Sequence, residues 1–179
     1  MAEWWRPSPT SGDILAKPWL HPDVTAYLEK LLSPDMTVLE HGSGGSTLWL
    51  AERVKKVVAI ETKREWHKLI AKLAPSNARL ILWDRGNYPR LSPSAKLPRQ
   101  FDLFLIDGEP VEDRARFLMD VERFVKPGGI VVLDNANRPE YQIERLKFMK
   151  KAEPVQFFNR NVPGRTSYLV TEFYRLEME

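Results

Sequence analysis

Apolar residues recur along this chain in two rhythms. Val24, Tyr27, Leu28, Leu31 and Leu32 fall three and four residues apart. So do Trp66, Leu69, Ile70 and Leu73, and again Phe117, Leu118, Val121, Phe124 and Val125. That spacing lays one stripe of a helix against a core. Between these helices lie short, nearly continuous apolar runs at 37–40, 57–60, 79–83, 103–106 and 130–133. Such runs alternating with helices predict a parallel sheet covered on both faces. The tail reads differently. Val155-Gln156-Phe157-Phe158, then Pro163-Gly164, then Ser167-Tyr168-Leu169-Val170-Thr171 predicts a closing antiparallel hairpin. The expected class is α/β: seven strands, mostly parallel, with helices on both faces.

Two segments stand outside the alternation. Residues 1–20 hold Trp4, Trp5, Trp19 and several prolines. Residues 85–100 hold Arg85, Arg90, Lys96, Arg99 and three prolines. Irregular stretches of this length are often binding loops or disordered. In an open α/β sheet, ligands sit beyond the carboxyl ends of the strands. The 85–100 loop follows the third strand and emerges there. The tryptophans of the arm either wall a substrate pocket or pin the arm to the core. One domain is expected, with 1–20 as an arm and 21–179 as the core.

The chemistry concentrates at Val38-Leu39-Glu40-His41-Gly42-Ser43-Gly44-Gly45-Ser46-Thr47. An apolar strand runs into an acid, a glycine turn and a helix start. Glycines allow close backbone approach to a ligand, and a helix start offers unpaired N–H groups. Glu61 closes the second apolar run and is placed to hold a ribose diol. A nucleoside site follows. Dinucleotide binders use G-x-G-x-x-G, but Thr47 takes the third glycine position. No G-x-x-x-x-G-K-[ST] is present. The loop has no Lys or Arg and an extra carboxylate, Glu40. S-adenosylmethionine lacks phosphates and carries an ammonium and a sulfonium, so it suits this loop better. Its carboxylate can use the helix N-terminus.

Composition narrows the setting. The 179 residues are 43% hydrophobic and 28% charged, with net charge +3 and no cysteine. Disulfides, thiolate metal sites and thiolate methylation of cytosine are thereby excluded. The basic residues are scattered rather than striped, which argues against a dedicated nucleic-acid track. No apolar run is long enough to cross a bilayer, and the start lacks signal-peptide character. A cytoplasmic location is the expectation.

Glu40-x-Gly42-x-Gly44 resembles motif I of class I S-adenosylmethionine-dependent methyltransferases. Glu61 resembles their ribose-binding acid. Phe101 to Gly108 resembles their fourth strand, and Val125 to Asp134 the turn into their fifth. The matches fall in family order and cover roughly residues 20–175. The resemblance implies a Rossmann-like sheet. It implies a cofactor site at Glu40, His41, Gly42, Ser43, Gly44, Ser46, Thr47, Glu61 and Asp107. Asp84 is placed to accept from the adenine amino group, with Trp83 beside the ring.

Methyl transfer to a hydroxyl requires that its proton be weakened or removed. Candidates at the carboxyl ends are His41, Asp107, Glu109, Asp134 and Asn135, of which Asp107, Asp134 and Asn135 form the expected catalytic set. These three also resemble the magnesium site of catechol O-methyltransferase-like enzymes, although the lysine those enzymes place after the first Asp is missing from Asp107-Gly108-Glu109-Pro110-Val111. The alternative leaves Asp107 to the cofactor and Asp134-Asn135 to capping a helix. Leu133 to Tyr141 is similar to small bacterial methyltransferases with Asp-Asn-x-x-Arg-Pro-Glu-Tyr. There Arg138 and Tyr141 would sit over the active edge, with Arg138 either binding substrate or pairing locally. The expected activity is methylation of a small-molecule acceptor, at oxygen. Nucleic acid and membrane are not expected partners, and a homodimer is left open. A non-catalytic binding subunit and an RNA methyltransferase using the 85–100 loop are the alternatives.

Overall fold

The computed structural model describes residues 17–83, 101–161 and 168–177. Helix α1 (Pro22–Leu31) opens with His21 as N-cap, whose Nδ1 accepts from the Asp23 N–H, and with a proline in its first turn. Strand β1 (Thr37–His41) follows, then α2 (Gly45–Ala51), β2 (Lys56–Glu61), α3 (Arg64–Leu73) and β3 (Ala78–Leu82). Next come β4 (Phe101–Ile106), α4 (Glu112–Met119), a 3-10 turn (Val121–Arg123) and β5 (Val125–Leu133). A second 3-10 turn (Pro139–Tyr141), α5 (Gln142–Phe148), β6 (Ala152–Asn161) and β7 (Tyr168–Leu176) complete the order.

The strands form one sheet in the order β3-β2-β1-β4-β5-β7-β6. Strands β1 to β5 pair in parallel, and β7 lies antiparallel between β5 and β6. This is the Rossmann-like, mostly parallel sheet with a closing hairpin. The hairpin's Pro163-Gly164 turn lies outside the described residues. Alternation along each strand sends side chains to opposite faces. Val38, Val57, Leu105 and Val132 meet α1 and α2 on one face. Leu39, Val58, Phe104 and Val131 meet α4 and α5 on the other.

One element departs from the periodicity. The stripe from Phe117 to Val125 reads as one helix, but the α-helix ends at Met119. Phe124 and Val125 are still buried. They arrive there through the 3-10 turn and the first residue of β5, where Val125 pairs with Phe101. A short tight turn preserves three-residue spacing, so the pattern alone does not distinguish it from a longer helix.

The ladder continues one residue beyond several strands. Gly42 N–H donates to the Ile60 carbonyl at 2.8 Å, and Trp83 N–H to that of Glu61 at 2.8 Å. Asp107 N–H donates to the His41 carbonyl and Asp134 N–H to that of Ile106, both at 3.1 Å. These bonds bring the loops after β1, β2, β4 and β5 to one level. From β1 the chain order leads outward in both directions, which makes its carboxyl end the switch point of the sheet.

Two glycines close that point. Gly42 has φ +103°, and a Cβ on it would lie 3.0 Å from the Gly108 Cα. A Cβ on Gly108 would lie 2.7 Å from Gly42 N and from the His41 ring. The backbones of the β1 and β4 loops therefore meet with no room for a side chain. Gly108→Ala should cost about 1–3 kcal/mol through overpacking, read as a lower urea midpoint with an unchanged m-value.

Candidate functional site

Glu40, one residue before the end of β1, lies on the face of α1 and α2 and is almost fully buried. Its charge is met by hydroxyls rather than by a cation. Thr47 Oγ donates to one carboxylate oxygen at 2.6 Å, and Ser46 Oγ makes a very short bond to the other. The Gly44 N–H in turn donates to Thr47 Oγ at 2.9 Å. That contact fixes the direction of the Thr47 proton, which must point to Glu40. Thr47 thus has a task that a third glycine could not perform. Burial pushes Glu40 up to about 7, against the lowering effect of its two hydroxyl bonds.

Glu61 is the second buried acid. One of its oxygens accepts from the N–H groups of Thr62 and Lys63, both at 2.8 Å. The other accepts from Ser43 Oγ at 2.9 Å. Trp66, in the first turn of α3, donates its indole N–H to the Ser43 carbonyl at 2.5 Å. The glycine loop is therefore tied to the end of β2 from two sides.

Asp107 and Asp134 mark the ends of β4 and β5, and Arg114 from α4 lies against both. Arg114 is 1% exposed. Its Nε donates to the Gly108 carbonyl at 3.0 Å, one terminal nitrogen to the Asp134 carbonyl at 2.5 Å, and the other to the Asp107 carbonyl at 2.6 Å and Oδ1 at 3.1 Å. Thr171 of β7 donates to Asp134 Oδ1 at 2.5 Å. Burial and the neighbouring Asp134 charge raise the Asp107 pKa, with Arg114 opposing. Asp134 is also raised, first by burial.

A cavity of about 310 Å³ opens beyond these ends. Glu40, Ser43, Gly44, Glu61, Asp107 and Glu109 border it, and Trp19, Lys63 and Trp66 do so as well. Its volume lies at the low end of the roughly 300–1,000 Å³ typical of small-molecule sites. The lining is strongly acidic. A pyrophosphate would face four acidic side chains there against one lysine, Lys63, whereas a ligand bearing ammonium and sulfonium groups would find counter-charges. The residues thus fit S-adenosylmethionine.

The expected site residues do not all converge. Glu40, His41, Gly42, Ser43, Gly44, Ser46, Glu61 and Asp107 border the cavity, and Thr47 backs it through Glu40. The His41 ring, however, is completely buried on the α4 face, 4.4 Å from the Phe117 ring and beneath Gly108. Burial and the Arg114 charge hold its pKa well below the usual imidazole range. Among the described residues neither ring nitrogen has a hydrogen-bond partner. Trp83 is not brought to the cavity. It is 2% exposed and packs edge-on against Phe117 in the core. Asp84 lies outside the described residues, as do Trp4, Trp5 and the 85–100 loop.

Asp107, Asp134 and Asn135 do share an edge, but their environment does not fit a magnesium ion. Such an ion demands octahedral oxygen donors at about 2.0–2.1 Å. Asp107 Oδ1 accepts from Arg114, Asp134 Oδ1 from Thr171, and Asn135 Oδ1 from Arg138 at 3.3 Å. Asn135 adopts φ +53°, and Tyr141, fully buried, donates to its carbonyl. Among the described residues no group of three or more His, Cys, Asp or Glu is arranged to hold a metal. Tyr141 is therefore a tie beneath the edge, and Arg138 pairs locally with Asn135.

Trp66, Arg114 and Thr171 belong to the site without having been singled out. Arg114 had a signal: it sits three and four residues before Phe117 and Leu118, on the buried stripe of its helix. A cation there demands a buried partner.

The methyltransferase domain family matches residues 39–136. No curated protein matches the chain. Similar solved structures include a SAM-dependent methyltransferase from Methanosarcina mazei, with 17% identity and TM-score 0.61 over 89% of this chain and 99% of that one. Fibrillarin, a pre-rRNA processing protein from Methanococcus jannaschii, shows 18% identity and TM-score 0.65 over 88% and 75%. An N-methyltransferase from Bradyrhizobium japonicum shows 15% identity and TM-score 0.63 over 83% and 89%. At such identities the likeness is one of fold.

The raised Glu40 pKa has a consequence for stability. Between its ordinary value of 4.5 and about 7, the folded chain holds a proton that the unfolded chain has released. This contribution is full below the lower value and is lost as pH rises through the upper one. Glu40→Gln keeps the shape, and Ser46 can turn to accept from the new amide. The variant should match the parent near pH 4.5 and exceed its stability at pH 8 by about 1–3 kcal/mol, measured by urea unfolding at both values.

Proposed function

This chain belongs to the methyltransferase domain family, and on that premise we propose that it transfers a methyl group from S-adenosylmethionine to the oxygen of a small-molecule acceptor. The observation that carries the reading is the cavity at the sheet's switch point, bordered by Glu40, Glu61 and Asp107. When bound, S-adenosylmethionine supplies an electrophilic methyl group.

The chain's own residues bind, orient and manage the proton. Glu61 is held rigid by two backbone N–H groups. It offers a ribose diol the oxygen that now takes the Ser43 hydroxyl. Glu40 and Asp107, whose pKa values burial raises, would be drawn to their ionised forms by a sulfonium and an ammonium bound beside them. Trp19 and Trp66 border the opening and limit water access. Asp107, which borders the cavity, and Asp134 beside it are the pair we assign to the proton of the acceptor hydroxyl. With the methyl group supplied by the bound cofactor, the carboxyl pair would orient the acceptor hydroxyl and take up the proton it releases. An apolar cavity without such carboxylates would leave that proton nowhere to go.

Ligand-dependent melting tests the reading. S-adenosylmethionine or its demethylated product at a hundred times its Kd should add about 2.7 kcal/mol of stability, or roughly 5–10 °C in a protein of this size. Glu61→Ala should abolish the shift. A shift with NAD and none with S-adenosylmethionine would replace the proposal with an oxidoreductase. Isotopic methyl transfer across phenol, carboxylate and amine acceptors then tests the acceptor, with hydroxyl compounds expected to react.

A further inference from the structure

We infer that Arg114 is an internal counter-ion for the carboxyl edge. Its guanidinium takes the place that a divalent cation would otherwise fill, so Asp107 and Asp134 are held for reaction without a metal. The inference rests on the methyltransferase reading for the reaction and on geometry alone for the cation.

Two loops meet at Arg114. Its five N–H groups lie in a rigid plane and remain charged at every working pH. Four hydrogen bonds leave it, to the carbonyls of Asp107, Gly108 and Asp134 and to Asp107 Oδ1, at 2.5–3.1 Å. The carbonyls belong to the loops after β4 and β5, so one side chain sets the separation of both. It also neutralises part of the charge of two neighbouring carboxylates. A metal in such a place would do the same two things. Here one oxygen of each side chain is already engaged, Asp107 Oδ1 by Arg114, Asp134 Oδ1 by Thr171 and Asn135 Oδ1 by Arg138.

Lysine could not substitute. An ammonium has three donors on a tetrahedral head and does not span three carbonyls in a plane. The burial of Arg114 strengthens the argument. A charge taken out of water is costly unless partners surround it. The four bonds meet that need, and removing the guanidinium would leave the adjoining carboxyls of Asp107 and Asp134 without the cation that lies against them. Arg114 is thus a positioning residue, acting through the two carboxylates.

The probe is Mn2+ alone, titrated calorimetrically into the intact protein and into variants, with melting followed in parallel. Wild-type protein should show no saturable Mn2+ binding and no change in melting with Mn2+, Mg2+ or chelator. Arg114→Ala should melt lower and recover roughly 5–10 °C in Mn2+ at about a hundred times its Kd, because the vacated carboxylates accept the cation. Adding Asp107→Asn to that variant should remove the recovery. A merely structural arginine would not confer metal binding when deleted. Saturable Mn2+ binding to wild type that Asp107→Asn abolishes would overturn the inference. So would a folded Arg114→Ala that ignores Mn2+. Should Arg114→Ala not fold, the wild-type titration decides alone. The melting shift with S-adenosylmethionine, taken on the same samples, keeps the two proposals separate: its absence sinks the reaction, while metal binding sinks only the counter-ion.

Discussion

The contact on which the site depends is between two stretches of backbone. Gly42 and Gly108 bring the loops after β1 and β4 together closer than any side chain would permit. Everything functional is arranged around that approach. It lets the ladder run past the strand ends, so that four loops stand at one height. It presses the His41 ring beneath Gly108 and onto Phe117, sealing the floor of the cavity from the core. With a Cβ at either place the loops would separate, and the carboxylates on them would lose their common edge.

Around this floor the protein keeps several acids in little water and treats them in different ways. Glu40 is neutralised locally by hydroxyls whose own orientation is fixed by backbone. Glu61 faces the dipoles of two peptide groups. Asp107 has a full positive charge. These are three kinds of compensation: hydroxyls, peptide dipoles and a guanidinium. They leave none of these acids unsupported.

Much of this was legible in the sequence. Apolar runs located the strands, because strands buried on both faces have no polar side to interrupt them. The glycine loop located the switch point, because only glycine allows that approach. What was harder to read depended on parity and distance. Adjacent strand residues point to opposite faces, so Glu40 and His41 could not both present side chains to one cavity. Trp83 lies two residues beyond Ile81, which packs on the α4 side, and it follows the same face into the core. Parity was available for both. Arg114 was visible as a cation on an apolar stripe, but its partners lie on two loops that helical spacing does not name. Thr171 is 37 residues from Asp134, a separation at which no local pattern informs.

That last pair ties the reactive edge to the path of folding. Strand β7 slots between β5 and β6, and only then does the Thr171 hydroxyl reach Asp134. A partly folded chain without β7 would expose β5 as an open sheet edge and leave Asp134 without that donor. Such long-range pairings form slowly, since chain entropy is lost before contacts are gained. Sheet closure and maturation of the carboxyl edge are therefore one event. Asp134 gains its Thr171 donor in the same step that covers the edge of β5.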